Sequence, residues 1–126
     1  MIIGVGVDIV DVNRIGNLVS RFGDRFLKKI LSQTEARVGL TEHQLTAYVA
    51  KQFVAKEAVS KALGTGMRSG VRFSTIRVLR NSYGAPYVEL GGEAAECARQ
   101  IGASNIQISL SDEKDYAIAY VIASSK

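Results

Sequence analysis

Two carboxylates, one ammonium and a glycine turn are the groups of this chain best suited to chemistry. Glu57 and Lys61 stand four residues apart in Phe53-Val54-Ala55-Lys56-Glu57-Ala58-Val59-Ser60-Lys61-Ala62-Leu63-Gly64-Thr65-Gly66. The other carboxylate, Asp8, interrupts the apolar run Ile2 to Val10. On spacing alone, Glu57 and Lys61 are the common surface ion pair of a helix, which contributes a few tenths of a kcal/mol. The setting argues otherwise, because Phe53, Val54, Ala55, Ala58 and Ala62 are too apolar for a solvated face. A charged pair in such a helix calls for a further purpose. Asp8 poses a related problem, since an unpaired carboxylate in a buried strand is costly and needs a strand end, a base or a metal. Asp11 is the better cap for the helix that follows, which leaves Asp8 as a site residue. If Asp8 and Glu57 meet, the pair suits Mg²⁺, which commonly takes one or two carboxylates together with phosphate oxygens and water. Lys61 then serves as a point charge against a phosphate. The helix C-terminus ahead of Gly64 repels anions, so a phosphate there must rest on side-chain cations and loop amides.

Other sites are excluded by what their chemistry would require. Gly4-Val5-Gly6 lacks the third glycine of a dinucleotide fingerprint, whose place is held by Ile9. Gly64-Thr65-Gly66 follows a helix, whereas a P-loop precedes one, and no Walker motif occurs. A single histidine, His43, rules out a Ser-His-Asp triad argued from sequence, and with a single cysteine, Cys97, it excludes His- or Cys-rich zinc sites. Cys97 lies among Ala94, Ala95, Ala98 and Ile101 at helical spacing, which reads as a packed thiol.

These groups must be positioned by the elements around them. Ile2 to Val10 reads as a strand buried on both faces or nearly so. From Val12 to Phe26, Ile15, Leu18, Val19 and Phe22 recur at helical spacing, with a basic face and a possible break at Gly23-Asp24. Between Lys28 and Leu40 the pattern is ambiguous, although Ser32 with Glu35 three residues later could cap a short helix. Thr41 to Gln44 has capping-box spacing and opens a helix running to Leu63, about 22 residues and roughly 33 Å long. Val71 to Leu79 and Pro86 to Leu90 read as strands joined by Asn81 to Gly84, followed by a helix from Glu93 to Ile101. Ile106 to Leu110 and Tyr116 to Ile122 form a last hairpin. The expected fold is a single α+β domain over residues 1–126, a mostly antiparallel sheet packed on a long central helix.

With 126 residues, 47% of them apolar and 22% charged, the chain has the composition of an ordinary globular domain. An excess of 16 basic over 12 acidic residues gives +4, which suits an anionic partner but is too small to indicate nucleic acid. The lone cysteine fits a reducing cytoplasm, and no segment reads as a signal peptide or membrane span.

The N-terminal segment Gly4-Val5-Gly6-Val7-Asp8-Ile9-Val10 with Arg14-Ile15, together with Phe53 to Gly66, resembles the holo-[acyl-carrier-protein] synthase family, the small standalone 4′-phosphopantetheinyl transferases. Gly84-Ala85-Pro86-Tyr87 and Ser109-Leu110-Ser111-Asp112 through Tyr116-Ala117 are similar to further family segments, and the resemblance spans the whole chain. It implies transfer of 4′-phosphopantetheine from coenzyme A to a serine of apo-acyl carrier protein, with release of adenosine 3′,5′-bisphosphate. It implies that Asp8 and Glu57 hold Mg²⁺, that Lys61 lies against the pyrophosphate, and that Gly64, Thr65 and Gly66 shape the pocket. Arg14, Leu18, Arg21, Phe22, Arg25 and Phe26 look like the family's carrier-docking helix, and a homotrimer with sites between subunits is implied. Two departures bear on coenzyme A. Many relatives carry arginine directly after the position of Lys51, where this chain has Gln52, so Lys51 or another base takes over that phosphate contact or coenzyme A is held more weakly. Several relatives have histidine at the position of Asp112, where an acid repels phosphate unless it points away. The rival readings are a transferase for a peptide- or polyketide-synthase carrier, a catalytically idle trimer, and a basic nucleic-acid-binding module. The last leaves Asp8 and Glu57 unexplained and has no stacking-aromatic signature.

Overall fold

A computed structural model describes residues 1–126. The chain opens with strand β1 (Ile2–Asp11), helix α1 (Val12–Phe22) and helix α2 (Asp24–Ile30), followed by the long helix α3 (Glu42–Ala62). A 3-10 turn (Phe73–Thr75) leads into β2 (Ile76–Arg80) and β3 (Pro86–Leu90), then helix α4 (Gly92–Ile101), β4 (Asn105–Asp112) and β5 (Tyr116–Ser124). All strand pairing is antiparallel, in a three-stranded sheet of order β1-β5-β4 and a two-stranded sheet β2-β3. The expected α+β fold on a central helix is what the chain adopts.

Helix α3 begins with the anticipated capping box. The Gln44 N–H donates to Thr41 Oγ1 at 3.1 Å and the Thr41 N–H to Gln44 Oε1 at 3.0 Å, so two otherwise orphaned donors are satisfied. From Tyr48 onward, α3 is apolar on nearly every side and buries Val49, Ala50, Val54, Ala55, Ala58, Val59 and Ala62. A helix with that pattern belongs in a core. Its alanines face a sheet surface that is also small, made by Ala117, Ala119, Val121 and Ala123 of β5.

β1 approaches α3 more closely still. A Cβ on Gly4 would lie 2.1 Å from the Ala62 carbonyl oxygen, and one on Gly6 would lie 1.9 Å from that of Ala58. Only glycine fits at such backbone contacts. β1 is therefore covered on one face, not on both as its apolar run suggests. Val5, Val7 and Ile9 point away from α3 and are about half exposed. Beside them on the same outer face stand their β5 partners Tyr120 and Ile118, with Tyr116 opposite Asp11.

The anticipated break at Gly23 forms, and two further expectations are not met, each for a local cause. The basic amphipathic stretch is two helices, because Gly23 adopts φ 55° and its N–H closes on the Val19 carbonyl at 2.8 Å. The strand expected from Val71 starts only at Ile76, since the Thr75 hydroxyl and amide both bond to the Arg72 carbonyl and curl the chain. No helix forms at Ser32. The Glu35 side chain accepts from the Ser32 N–H at 3.0 Å, but it then turns inward, and the segment makes a single turn. No helix of the chain is long and apolar enough to cross a membrane.

Candidate active site

Asp11 caps α1, with its side chain accepting from the Asn13 N–H at 2.8 Å, so Asp8 is left free of that duty. Asp8 lies on the face of β1 turned toward α3, two residues beyond Gly6. The close glycine contacts bring it alongside the last turns of that helix. Lys61 reaches across and donates to Asp8 Oδ1 at 3.1 Å and to the Val7 carbonyl at 3.0 Å. The ion pair is thus between strand and helix and not the i,i+4 pair with Glu57. Lys61 remains half exposed, and the Asp8 carboxylate is 19% exposed.

Glu57 is on the same side of α3, one turn earlier. Its carboxyl is pushed above the ordinary carboxylate range, first by burial and then by repulsion from Asp8, while Lys61 and Arg14 pull it the other way. Two acids that repel each other beside an exposed ammonium form a place where a cation would relieve an existing strain. Asp8 and Glu57 are not joined by a third acid, His or Cys. That suits a hard ion taking two protein oxygens and filling its remaining positions with phosphate and water.

The Gly64-Thr65-Gly66 turn follows directly, but its amides are not available to an anion. Gly64 N–H donates to Lys61 O at 3.0 Å, and those of Thr65 and Gly66 both donate to Ser60 O, at 3.2 and 3.1 Å. The amides of these three residues are thus engaged within the fold, which leaves side-chain cations as the groups of this turn region open to a phosphate. Arg68, which the sequence did not single out, bonds through Nε to the Thr65 carbonyl at 3.2 Å and so sets a cation at this turn.

The two departures sit in different surroundings. Gln52 is fully buried, where Nε2 donates to Glu35 Oε1 and the Val78 carbonyl, and Oε1 accepts from Arg80. It has no route to a ligand phosphate. Asp112 is offset by Lys51, 3.7 Å away, so its charge is partly spent and so is that of Lys51.

A groove of about 340 Å³ runs beside the site, lined by Arg14, Leu18, Phe22, Arg25, Phe26 and Lys29, with Ile30, Phe53 and Phe73. Five of the six expected docking residues meet there. Arg21 does not, and its guanidinium instead stacks on the Phe22 ring at 5.2 Å. Phe53 and Phe73 stack at 5.5 Å, and Arg14 lies 5.9 Å from the Phe53 ring centre. The groove carries three bases and no acid.

The profile of the 4′-phosphopantetheinyl transferase superfamily matches residues 4–121. The protein of Hydrogenovibrio crunogenus called holo-[acyl-carrier-protein] synthase is 44% identical over 126 residues, covering 100% of this chain and 99% of its own. The crystal structure of holo-[acyl-carrier-protein] synthase from Neisseria meningitidis matches with a TM-score of 0.88 at 36% identity, over 99% of this chain and 100% of that one. The Bacillus anthracis synthase in complex with CoA (3′,5′-ADP) matches with a TM-score of 0.84 at 35% identity, over 100% and 99%.

Proposed function

The chain belongs to the 4′-phosphopantetheinyl transferase superfamily, and from that premise we propose that Asp8, Glu57 and Lys61 are the catalytic centre of a holo-[acyl-carrier-protein] synthase. The enzyme is a transferase that moves 4′-phosphopantetheine from coenzyme A to a serine of apo-acyl carrier protein. The serine oxygen bonds to the phosphorus bearing the pantetheine arm. The bond from that phosphorus to the bridging oxygen breaks, and adenosine 3′,5′-bisphosphate and a proton are released.

The observation that carries the reading is the convergence of Asp8, from the first strand, with Glu57 and Lys61 on α3. Asp8 and Glu57 are the residues that would hold Mg²⁺, which when bound supplies a Lewis acid for the pyrophosphate oxygens. Lys61 holds the Asp8 carboxylate in place and keeps an exposed ammonium for a phosphate oxygen, where it counters charge growing on the leaving group. Lys51, Lys61 and the turn Gly64-Thr65-Gly66 are the proposed contacts of coenzyme A. Arg68, anchored to the Thr65 carbonyl, supports that role with a cation at the turn, where the amides of Gly64, Thr65 and Gly66 are already engaged.

The acidic carrier docks in the groove of α1 and α2. Arg14, Arg25 and Lys29 steer it, and Leu18, Phe22 and Phe26 provide contact area. Arg21 belongs to the flank of this surface. The working assembly is a homotrimer with sites between subunits. Supporting it is the exposed apolar stripe of Val5, Val7, Ile9, Tyr116, Ile118 and Tyr120, which is more than scattered surface hydrophobics account for. A cytoplasmic protein of one 126-residue domain fits the single free cysteine.

The test is incubation with apo-carrier protein, coenzyme A and Mg²⁺, read by intact mass. The carrier gains one phosphopantetheine, and EDTA suppresses the gain. An unchanged mass with Mg²⁺ present overturns the assignment.

A further inference from the structure

Beneath the docking groove lies a charge that the chemistry does not use. Lys56 is completely buried, and its ammonium has three protons and three acceptors. It donates to the Ile30 carbonyl at 2.6 Å, to Glu35 Oε2 at 2.9 Å and to the Phe73 carbonyl at 3.0 Å. Each acceptor belongs to a different segment: the last residue of α2, the turn after it, and the 3-10 turn. Two of them, Ile30 and Phe73, line the groove. Phe53, one turn before Lys56 on α3, stacks on Phe73 and completes the floor.

Glu35 is buried just as fully and fixes the outer side of the same joint. Its carboxylate also accepts from the Ser32 N–H and hydroxyl, from Gln52 Nε2 and from the Val78 N–H. Neither wall is long, since α2 has seven residues and the 3-10 turn three, and beside the apolar packing of Ile30 and the Phe53–Phe73 stack this ammonium is the polar tie between them. A short helix end with orphaned carbonyls needs a donor, and a cation is the favoured one.

We infer that Lys56 is a positioning residue for carrier docking, because its buried ammonium ties α2 and the 3-10 turn to α3 and so fixes the separation of the groove walls. The inference rests on the proposed function, and it concerns a residue that touches neither substrate. A prebuilt groove spares the encounter the cost of ordering these segments, so losing the tie weakens carrier affinity and leaves coenzyme A affinity alone.

The test compares three proteins. Transfer by the unaltered chain is measured first, since its absence would refute the proposed function and not this inference. The variant combining Lys56→Met with Glu35→Gln removes both buried charges together, so neither is left unpaired. Its KM for apo-carrier is expected to rise about tenfold, or roughly 1.4 kcal/mol, with the KM for coenzyme A within about twofold of the parent. The control is Arg80→Leu, which breaks the bond to Gln52 Oε1 at the far end of the same network. It is expected to lower the unfolding midpoint without changing the carrier KM. An unchanged carrier KM in the folded double variant overturns the inference, and so does an equal rise in the Arg80→Leu control or a parallel rise in both KM values. If the double variant does not fold, Lys56→Gln, which keeps an amide donor for Ile30 and Phe73, takes its place. An intermediate carrier KM supports the inference and an unchanged one overturns it.

Discussion

Lys61 Nζ lies 3.1 Å from Asp8 Oδ1 across 53 residues of sequence, while Glu57, a single turn away on the same helix, is left to repel that same aspartate. The acid pair is therefore half neutralised by the chain's own cations. One acid has an ammonium, and the other has only partial relief from Lys61 and Arg14.

Asp8→Asn and Glu57→Gln each remove one oxygen donor for the cation without removing a core contact. Each is expected to lower the rate of transfer by about 100-fold or more with the fold retained. Rates by intact mass and folding by circular dichroism check this. Normal turnover in both variants would sink the metal assignment.

Glu57 gives the metal-free protein a pH dependence opposite to that of an ordinary salt-bridged acid. Its carboxyl is raised above 4.5 by burial and by Asp8, so the folded state binds the proton more tightly than the unfolded chain does. Its contribution to stability is fully present below the unfolded value and is lost as pH climbs through the folded one. In EDTA, stability is expected to decline over this window, and Glu57→Gln should flatten the decline and raise the melting midpoint at neutral pH. Mg²⁺ favours the charged carboxylate, so its stabilising effect should grow with pH in the parent and vanish in Glu57→Gln. Thermal melts from pH 4.5 to 8 with and without Mg²⁺ decide the matter, and a lower neutral-pH midpoint for Glu57→Gln contradicts it.

Charge reversal at Arg14 and Arg25 removes two of the three bases in a groove that holds no acid. The expected result is a rise of about tenfold or more in the KM for the carrier, with steeper loss at low salt and little change for coenzyme A. Equal effects on both substrates would contradict the docking role. Arg21→Glu should have the smaller effect, since its side chain lies on Phe22 outside the groove.

Tyr120→Glu places a charge in the outward apolar stripe, opposite Val7. The parent is expected to run as a trimer by light scattering and the variant as a smaller species with reduced transfer. A monomeric, fully active parent would end the trimer proposal.

Gly6→Ala puts a methyl group 1.9 Å from the Ala58 carbonyl oxygen, so strand and helix must separate. A loss of about 1–3 kcal/mol is expected by urea unfolding. Transfer should fall further than stability does, because Asp8 moves with the strand, and displacement of about 1 Å can cost about 100-fold in rate. An alanine variant of parental stability would show that the contact is looser than described.

Much of this arrangement is legible in the sequence because its signals are local. The capping box of Thr41 and Gln44, the break at Gly23, the cap by Asp11 and the alternation in β5 are each written within a few residues. The pairing of Lys61 with Asp8 is not, since an i,i+4 glutamate is the nearer candidate and only the Gly4 and Gly6 contacts bring the strand within reach. Glu35 shows the limit most clearly. Its spacing from Ser32 reads as a cap, and half of that bond forms, but the same carboxylate is claimed by Lys56 and Gln52 from 21 and 17 residues away. The role of Gln52 is hidden for the same reason, since nothing near it in sequence shows that its partners are Glu35 and the β2 residues Val78 and Arg80.

The sheet order β1-β5-β4 gives the strand carrying Asp8 a single sheet neighbour, and that neighbour is the last strand of the chain, with Ile2 opposite Ser124. On the ribosome, the first strand therefore has no hydrogen-bonding partner until residues 116–124 have emerged. Asp8 and α3 exist early, but the edge that holds Asp8 against Lys61 is completed only once β5 is in place. A chain that stops short of β5 should thus hold Asp8 poorly against Lys61 and lose metal binding, whereas the α1–α2 groove, which takes no residue from β5, carries no such dependence.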